Sequence, residues 1–365
     1  MMDGIAGRIA ERIRNGGPVS VAAFMTEAMF DPREGFYATK NPIGAGEDFI
    51  TAPSISQMFG ELIGLWCAQV WVDMGQPETV ELVELGPGTG QMMADIVRAS
   101  RAVPGFDRAA QISLIEASAA LKMVQGRTLT PLGVEAMWLN RLEDVPAGPA
   151  IFVGNEFLDC LPMRQALKHE GKWHERLIGL SETGDAFAFV LGPPLGVEAD
   201  LVPARLRDLP DGTLAELRPG DQQVVDALAD RFKTHPGQAL FIDYGPATSE
   251  AGDTFQAIRQ HEKTDPLAAP GTADLTARVD FEQLAQFARS AGLAVSGPAQ
   301  QGDWLNAMGI EVRAANLIRH SPDQKTRIAR QVLRLTEADQ MGELFKVMAL
   351  STQGLPKPPG FTAHG

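Results

Sequence analysis

VELVELGPGTGQMMADI, residues 80–96, decides the fold. Val80, Leu82, Val83 and Leu85 form a short apolar run bounded by Gly and Pro, which predicts a buried strand. Gly86, Gly88 and Gly90 make a glycine-rich turn, and Met92, Met93, Ile96 and Val97 then recur at helical spacing. Such a strand–glycine–helix unit aims backbone N–H groups and a helix N-terminus at a ligand, with no side chains in the way. An α/β fold with its ligand at the carboxyl ends of the strands is therefore expected.

The details of the loop choose the ligand. A dinucleotide fingerprint is G-x-G-x-x-G, whereas the glycines here run G-x-G-x-G and Gln91 occupies the third fingerprint position. A phosphate-binding P-loop needs a Lys that is absent here. Glu84 stands just before the loop. A carboxylate there repels a pyrophosphate but suits an ammonium or sulfonium group. The pattern E-x-G-x-G-x-G resembles the first motif of class I S-adenosylmethionine-dependent methyltransferases. An ordinary strand-to-helix turn is the bland alternative.

Composition sets the limits. A chain of 365 residues accommodates one large α/β domain with additions, or two domains. A net charge of −14 argues against nucleic-acid binding, and no apolar run approaches the length of a spanning helix. Cys67 and Cys160 are far apart, each among apolar residues, and form no C-x-x-C, which predicts buried free thiols in a reducing cytoplasm. The six histidines include no H-x-x-x-H, so no metal site is expected, His169 and His174 flanking a hairpin included.

From the start of the chain, residues 5–14 read as a surface helix and 19–30 as a second, N-capped by Ser20. The Gly/Pro-rich, aromatic stretch that follows Asp31 lacks a period but holds Phe36, Tyr37, Phe49 and Ile50, which predicts a loop packed over a ligand. Ser54 and Gln57, after Pro53, read as a capping box opening a helix to about residue 74. Its apolar stripe is Met58, Leu62, Leu65, Trp66 and Val70.

Residues 111–116 predict a second strand ending at Glu116, placed to accept hydrogen bonds from ribose hydroxyls. Residues 134–139 predict a third, ending at Leu139, with 138–141 near an adenine edge. A fourth strand, 149–157, ends in Asn155 and Glu156, with Asp159 close behind. Two carboxylates beside the loop could ligate a metal, share a proton or clamp a cation. No further acids or histidines complete a metal shell, so clamping and base chemistry are preferred; capping of the next turn is the bland reading of Asp159. Residues 168–235 interrupt the βα rhythm with a hairpin around Glu182–Asp185. Strands at 239–243 and 293–296 follow, Asp280 caps a helix, and 343–351 predicts a last strand. The segment 253–280 reads as long, polar and broken by Gly and Pro.

The blocks GAGEDFITAPSISQMFGELIGLW (44–66), VELGPGTGQMMADI (83–96), NEFLDCLPMRQ (155–165), DTFQAIRQH (253–261), ADLTARVDF (273–281) and MGELFKVMAL (341–350) resemble one family throughout. It is the family of the arginine-methylating mitochondrial complex I assembly factor and its bacterial relatives, matched over residues 18–352. The resemblance implies a class I, Rossmann-like seven-stranded sheet with an N-terminal helical region and an inserted α+β segment. The division expected is a helical and lid region over 1–75, a core over 76–352 interrupted at 168–235, and a tail over 353–365. S-adenosyl-L-methionine is the implied cofactor, held by Glu84, Gly86, Gly88, Gly90, Glu116 and Leu139. Thr51 and Pro53 belong to the loop 46–56 that would cover it. Asn155, Glu156 and Asp159 would face the acceptor, for the mitochondrial member an arginine of a complex I subunit that is symmetrically dimethylated. The chain departs from the family pattern at Pro246, where D-Y-G-H is expected, and at Arg278, often His. Other readings are an assembly factor that uses the cofactor structurally, and a methyltransferase with a non-arginine or small-molecule acceptor. A nicotinamide dehydrogenase is disfavoured by Glu84 and Gln91.

Overall fold

The computed structural model describes residues 2–39, 51–259 and 262–361. Its centre is a sheet of seven strands: β1 (Val80–Leu85), β2 (Ala110–Ile115), β3 (Ala136–Leu139), β4 (Ala150–Asn155), β5 (Gly237–Tyr244), β6 (Ala294–Gln300) and β7 (Phe345–Ser351). They lie in the order β3-β2-β1-β4-β5-β7-β6. β1 to β5 pair in parallel, whereas β7 runs antiparallel to both of its neighbours. This is the seven-stranded methyltransferase sheet that the resemblance implies, with its closing antiparallel strand.

Two helical layers cover the sheet. One face carries α3 (Gln57–Asp73) and α4 (Gln91–Ser100), the other α6 (Pro219–Phe232) and α7 (Phe281–Ser290). The period of two sorts the strands between them. In β1, Val80 and Leu82 join the α3/α4 core and Val83 and Leu85 the α6/α7 core. In β4, Ile151 and Val153 face α3/α4 while Ala150 and Phe152 face away. Each of these Val, Leu, Ile and Phe side chains contributes about 1.5–3 kcal/mol by burial. The same alternation sends Glu84 and Asn155 to the α3/α4 face, at the carboxyl ends of adjacent strands.

The remainder packs around the strands' carboxyl ends. Helices α1 (Gly4–Gly16) and α2 (Val21–Phe30) share a core with the sheet edges beside them, through Ile9, Phe24, Met25, Ile178 and Leu275. Ser20 caps α2, its hydroxyl accepting from Ala23 N at 3.1 Å. α3 packs against α4 as part of the sheet's core, so the expected boundary at residue 75 cuts through one packing unit. Its cap is Ser56, which accepts from Met58 N, while Ser54 bonds to Thr51 O instead. Pro53 explains the shift, because it sits in the separate turn Ala52–Ile55. Leu65 lies off the buried stripe at 39% exposure.

The inserted sheet is wider than expected. Strands Arg164–His169, Lys172–Leu180, Phe187–Pro194 and Leu214–Leu217 form it, joined by the two-residue strand Val19–Ser20. It therefore begins at Arg164 and recruits the N-terminus. Helix α6 falls inside the expected interruption 168–235 but packs in the central core, as a helix over 222–233 returning to the core would, so the inserted part ends before Pro219. A three-stranded sheet of Gln256–Arg259, Glu262–Thr264 and Asp274–Thr276 occupies the segment read as broken coil. Those strands are three or four residues long, too short for an alternating pattern to register. The last helices of the chain include α8 (Ile310–His320) and α9 (Lys325–Thr336); the remaining labelled helix, α5 (Ala119–Leu129), follows β2.

Candidate active site

The glycine loop sets the first wall. Gly86, Gly88 and Gly90 hold φ of 62°, 55° and 77°, in the left-handed region that a side chain disfavours. A Cβ on Gly86 would stand 3.2 Å from the Phe157 ring, and one on Gly90 3.3 Å from the Gln125 backbone. Gly90 is the N-cap residue of α4. Gly86 and Gly88 line a cavity of about 370 Å3 together with Glu116, Asn140, Arg141 and Cys160. Cys160, expected as a buried thiol, thus borders a ligand space; both cysteines are free.

Glu116 is held at the cavity edge. Its carboxylate accepts from Ser118 N at 2.7 Å and from Gln125 Nε2 at 3.0 Å, and burial pushes its pKa up. Gln125, on α5 and fully buried, also donates to Gly88 O at 2.9 Å and accepts from Trp138 Nε1 at 2.8 Å. One amide thereby ties the glycine loop, the ribose-facing acid and β3 together. Nothing in the local pattern distinguishes it from a surface polar residue of a helix. Gln125→Leu leaves Trp138 Nε1 and Gly88 O without partners and frees Glu116. It is expected to weaken S-adenosyl-homocysteine binding about tenfold to a hundredfold, since hydrogen bonds to charged groups contribute about 1.5–3 kcal/mol each. Calorimetric titration of the two proteins checks this.

Several expected cofactor residues lie elsewhere. Glu84 is only 2% exposed and off the cavity wall, because β1's alternation turns it beneath α4, where Met93 N–H donates to it. Burial raises its pKa well above the usual range, with Asp95 and Glu116 adding to the shift. Leu139 contributes its carbonyl, which accepts from Glu116 N at 3.0 Å, and packs into the α6/α7 core. Residues 140–143 take its place on the wall. Trp138 points into the α3/α4 core rather than across an adenine site. Thr51 opens onto the neighbouring cavity and Pro53 onto an outer groove. Residues 46–50 of the expected covering loop, Phe49 and Ile50 among them, lie outside the described residues.

The carboxylates occupy the second wall. Beyond β4, Glu156 adopts φ 51°, a left-handed conformation that costs a non-glycine residue about 1–2 kcal/mol. The turn that follows is pinned from three sides. Asp243 Oδ2 accepts from Leu158 N at 2.9 Å and Asp159 N at 3.2 Å. Arg218 Nη2 donates to Leu158 O at 2.6 Å while its guanidinium pairs bidentately with Asp221 at 3.0 Å. Ala277 N donates to Asp159 O at 2.9 Å.

Glu156 and Asp159 line a second cavity of about 420 Å3, with Thr51, Tyr244, Asp274 and Arg278. Glu156 and Tyr37 border both cavities, so the two spaces meet there. Tyr37 Oη donates to Asp274 Oδ1 at 3.3 Å. Asn155 stands behind, its Nδ2 donating to Glu156 Oε1 at 3.1 Å. Asn155 Oδ1 and Glu84 Oε2 are buried acceptors without a protein donor among the described residues, on one face of adjacent strands. A cavity of this size, glycines without side chains over it and Glu116 at its rim fit a nucleoside-bearing ligand.

Proton affinity is raised at the junction. Burial, then the charge of Asp159, pushes Glu156 up to about 8, against the opposing bonds from Asn155 and Ala52 N–H. Burial pushes Asp159 to about 6, with Tyr244 and Arg218 opposing. A carboxyl with a raised pKa is neutral below it, so the pair becomes fully anionic only as pH rises through this range. For a cationic acceptor, kcat/KM is expected to rise from pH 6 to pH 8 and to flatten above, measured as a pH–rate profile. Stability runs the other way. The unfolded Glu ionises near 4.5 and the folded one near 8, so stability is complete below 4.5 and is lost as pH rises through 8.

A family model described as "Putative S-adenosyl-L-methionine-dependent methyltransferase" matches residues 62–299, more than half of the chain. Protein arginine methyltransferase NDUFAF7, mitochondrial, of Xenopus tropicalis is 32% identical, over 96% of this chain and 87% of that protein. Its human counterpart of the same name is 34% identical over 93% and 81%, and the Drosophila melanogaster homolog 34% over 95% and 84%. A Burkholderia thailandensis protein, solved bound to S-adenosyl-homocysteine, superposes with a TM-score of 0.86 at 27% identity, covering 99% of this chain and 95% of that one.

Proposed function

The chain belongs to the family of S-adenosyl-L-methionine-dependent methyltransferases matched above, and from that premise we propose that it methylates an arginine of a protein, a subunit of respiratory complex I. The cofactor is S-adenosyl-L-methionine, with Gly86, Gly88 and Glu116 on the wall that would hold it. What supports an arginine acceptor is the carboxylate pair Glu156 and Asp159 at the meeting of two cavities. The names of the relatives point the same way.

Bound cofactor supplies the methyl group. The protein's part is to align, hold dry and deprotonate the acceptor. A guanidinium is a weak nucleophile, because its lone pairs are delocalised and it stays protonated at any working pH. Glu156 and Asp159 bind it through paired N–H···O bonds and localise its charge away from the attacking nitrogen. The proton released from that nitrogen passes to a Glu156 carboxylate oxygen, whose raised affinity suits it as acceptor. Arg218, Asp243 and Ala277 N–H fix the turn that carries both groups. Positioning of this kind is the largest contribution open to the enzyme.

Competition tests the acceptor class. An arginine peptide is expected to inhibit methylation of the protein substrate, and the same peptide with citrulline, which is neutral, is not. Equal inhibition by both would overturn the arginine reading. Among the described residues no helix is long and apolar enough to cross a membrane. Two free thiols suit a reducing compartment. We place the protein in the cytoplasm on that ground, whereas the relatives are named mitochondrial.

A further inference from the structure

One helix reverses the charge of the molecule. The chain has 32 Lys and Arg against 46 Asp and Glu, yet α9, KTRIARQVLRLT, holds Lys325, Arg327, Arg330 and Arg334 and no acid. Ile328 and Leu335 are its buried residues. Arg327, Arg330 and Arg334, spaced by three and four residues, share an exposed face. None of the three forms an ion pair with a carboxylate among the described residues, although Arg313 nearby on α8 is paired with Glu61 at 2.8 Å.

That face borders a groove. A cavity of about 510 Å3 lies between Pro53–Gln57, the α4 start at Gln91, and Arg327 and Gln331 of α9. A second, of about 540 Å3, continues along Arg327, Arg330 and Arg334. The two share Ile55, Arg327 and Gln331, so they adjoin; Leu317 and Ile328 add apolar surface to the first, and Asp323 is the one acid on the lining of the second. Gln331 Nε2 donates to Ile55 O at 2.6 Å and ties the groove to the turn Ala52–Ile55. Thr51, at the start of that turn, lines the cavity that holds Glu156 and Asp159. Four residues of helix separate Thr51 from Ile55, a rise of about 6 Å.

We propose that this groove docks an acidic, partly apolar segment of the protein substrate, beside the cavity that receives its arginine. The proposal rests on the protein-methyltransferase reading and adds what part of the substrate is recognised. Unpaired arginines present planar forks that fit carboxylates, and the apolar surface accepts side chains between them. A short peptide matches these dimensions. A nucleic acid or an anionic membrane would extend past the groove onto a body of net charge −14 and be repelled.

The test is direct binding to the full-length protein saturated with S-adenosyl-homocysteine. The probe is a fluorescein-labelled peptide of alternating glutamate and leucine, with its glutamine counterpart, phosphatidylserine vesicles and a single-stranded oligodeoxynucleotide as comparisons. The glutamate peptide is expected to bind at least about tenfold more tightly than the other three. Its binding should fall as salt rises from about 50 to about 300 mM, because exposed charges are screened. The charge reversal R327E/R330E/R334E should abolish it while leaving S-adenosyl-homocysteine affinity unchanged; R327Q/R330Q/R334Q takes its place if the reversal does not fold. Binding that survives either variant, or stronger binding to vesicles or oligonucleotide, would overturn the proposal. Methylation plays no part in this readout, so docking and the choice of methyl acceptor fail separately.

Discussion

Glu156→Gln is expected to lower kcat for arginine methylation by about a hundredfold to ten-thousandfold, the range for loss of a positioned base. S-adenosyl-homocysteine should bind nearly as it does to the wild type, because Gly86, Gly88 and Glu116 are untouched and the isosteric Gln keeps the shape of the wall where residue 156 borders the cofactor cavity. The substitution keeps the size of the side chain and its bond to Asn155 Nδ2. It removes the group that carries charge onto the acceptor and receives its proton. The rise in kcat/KM between pH 6 and pH 8 should flatten in this variant, leaving only the limb that belongs to Asp159 near 6. The variant should also be more stable than the wild type at pH 9 and no more stable at pH 4, because the cost of ionising a buried carboxyl is gone. An unchanged kcat with the pH rise intact would assign the proton transfer to another group.

Arg218→Met is expected to destabilise the fold by about 3–5 kcal/mol, the usual cost of leaving one member of a buried ion pair alone. Arg218 and Asp221 have side chains 0% and 1% exposed and are bonded twice at 3.0 Å. Removing the guanidinium strands the Asp221 carboxylate, whose pKa burial already raises and Arg218 holds down. It also takes one of two donors from Leu158 O, one residue before Asp159, leaving only Leu161 N. Methylation should therefore fall even in the fraction that remains folded, through a loosened turn rather than a lost contact with substrate. Adding Asp221→Leu should recover most of the stability but not the activity. Denaturant unfolding and steady-state kinetics on the three variants separate the two effects. A midpoint unchanged by Arg218→Met would show that the pair contributes nothing net.

Much of this was legible in the sequence where the determinant is local. The apolar alternation of Val80–Leu85 followed by Gly86, Gly88 and Gly90 identifies strand, turn and helix, because the strand period and the need for positive φ are both written in adjacent residues. The acids at the ends of β2 and β4 follow from the same logic. What escaped depends on chain segments far apart. Gln125 acts through Gly88 and Trp138, 37 and 13 residues away. Arg218 reaches Leu158 across 60 residues. Tyr37 reaches Asp274 across 237. Glu84 stands apart for a different reason: the strand period that makes β1 readable also turns its side chain under α4. The i, i+3 spacing of Arg218 and Asp221 at a helix start was a signal available in the sequence and could have been read as a buried pair.

The measurement that tests the central claim is mass spectrometry of complex I subunits after incubation with the enzyme and S-adenosyl-L-methionine carrying a deuterated methyl group. The account predicts label on the guanidino nitrogens of arginine, appearing with wild type and at least about a hundredfold more slowly with Glu156→Gln. Label on lysine, on a carboxyl group or on a small molecule, with arginine unlabelled, would contradict it.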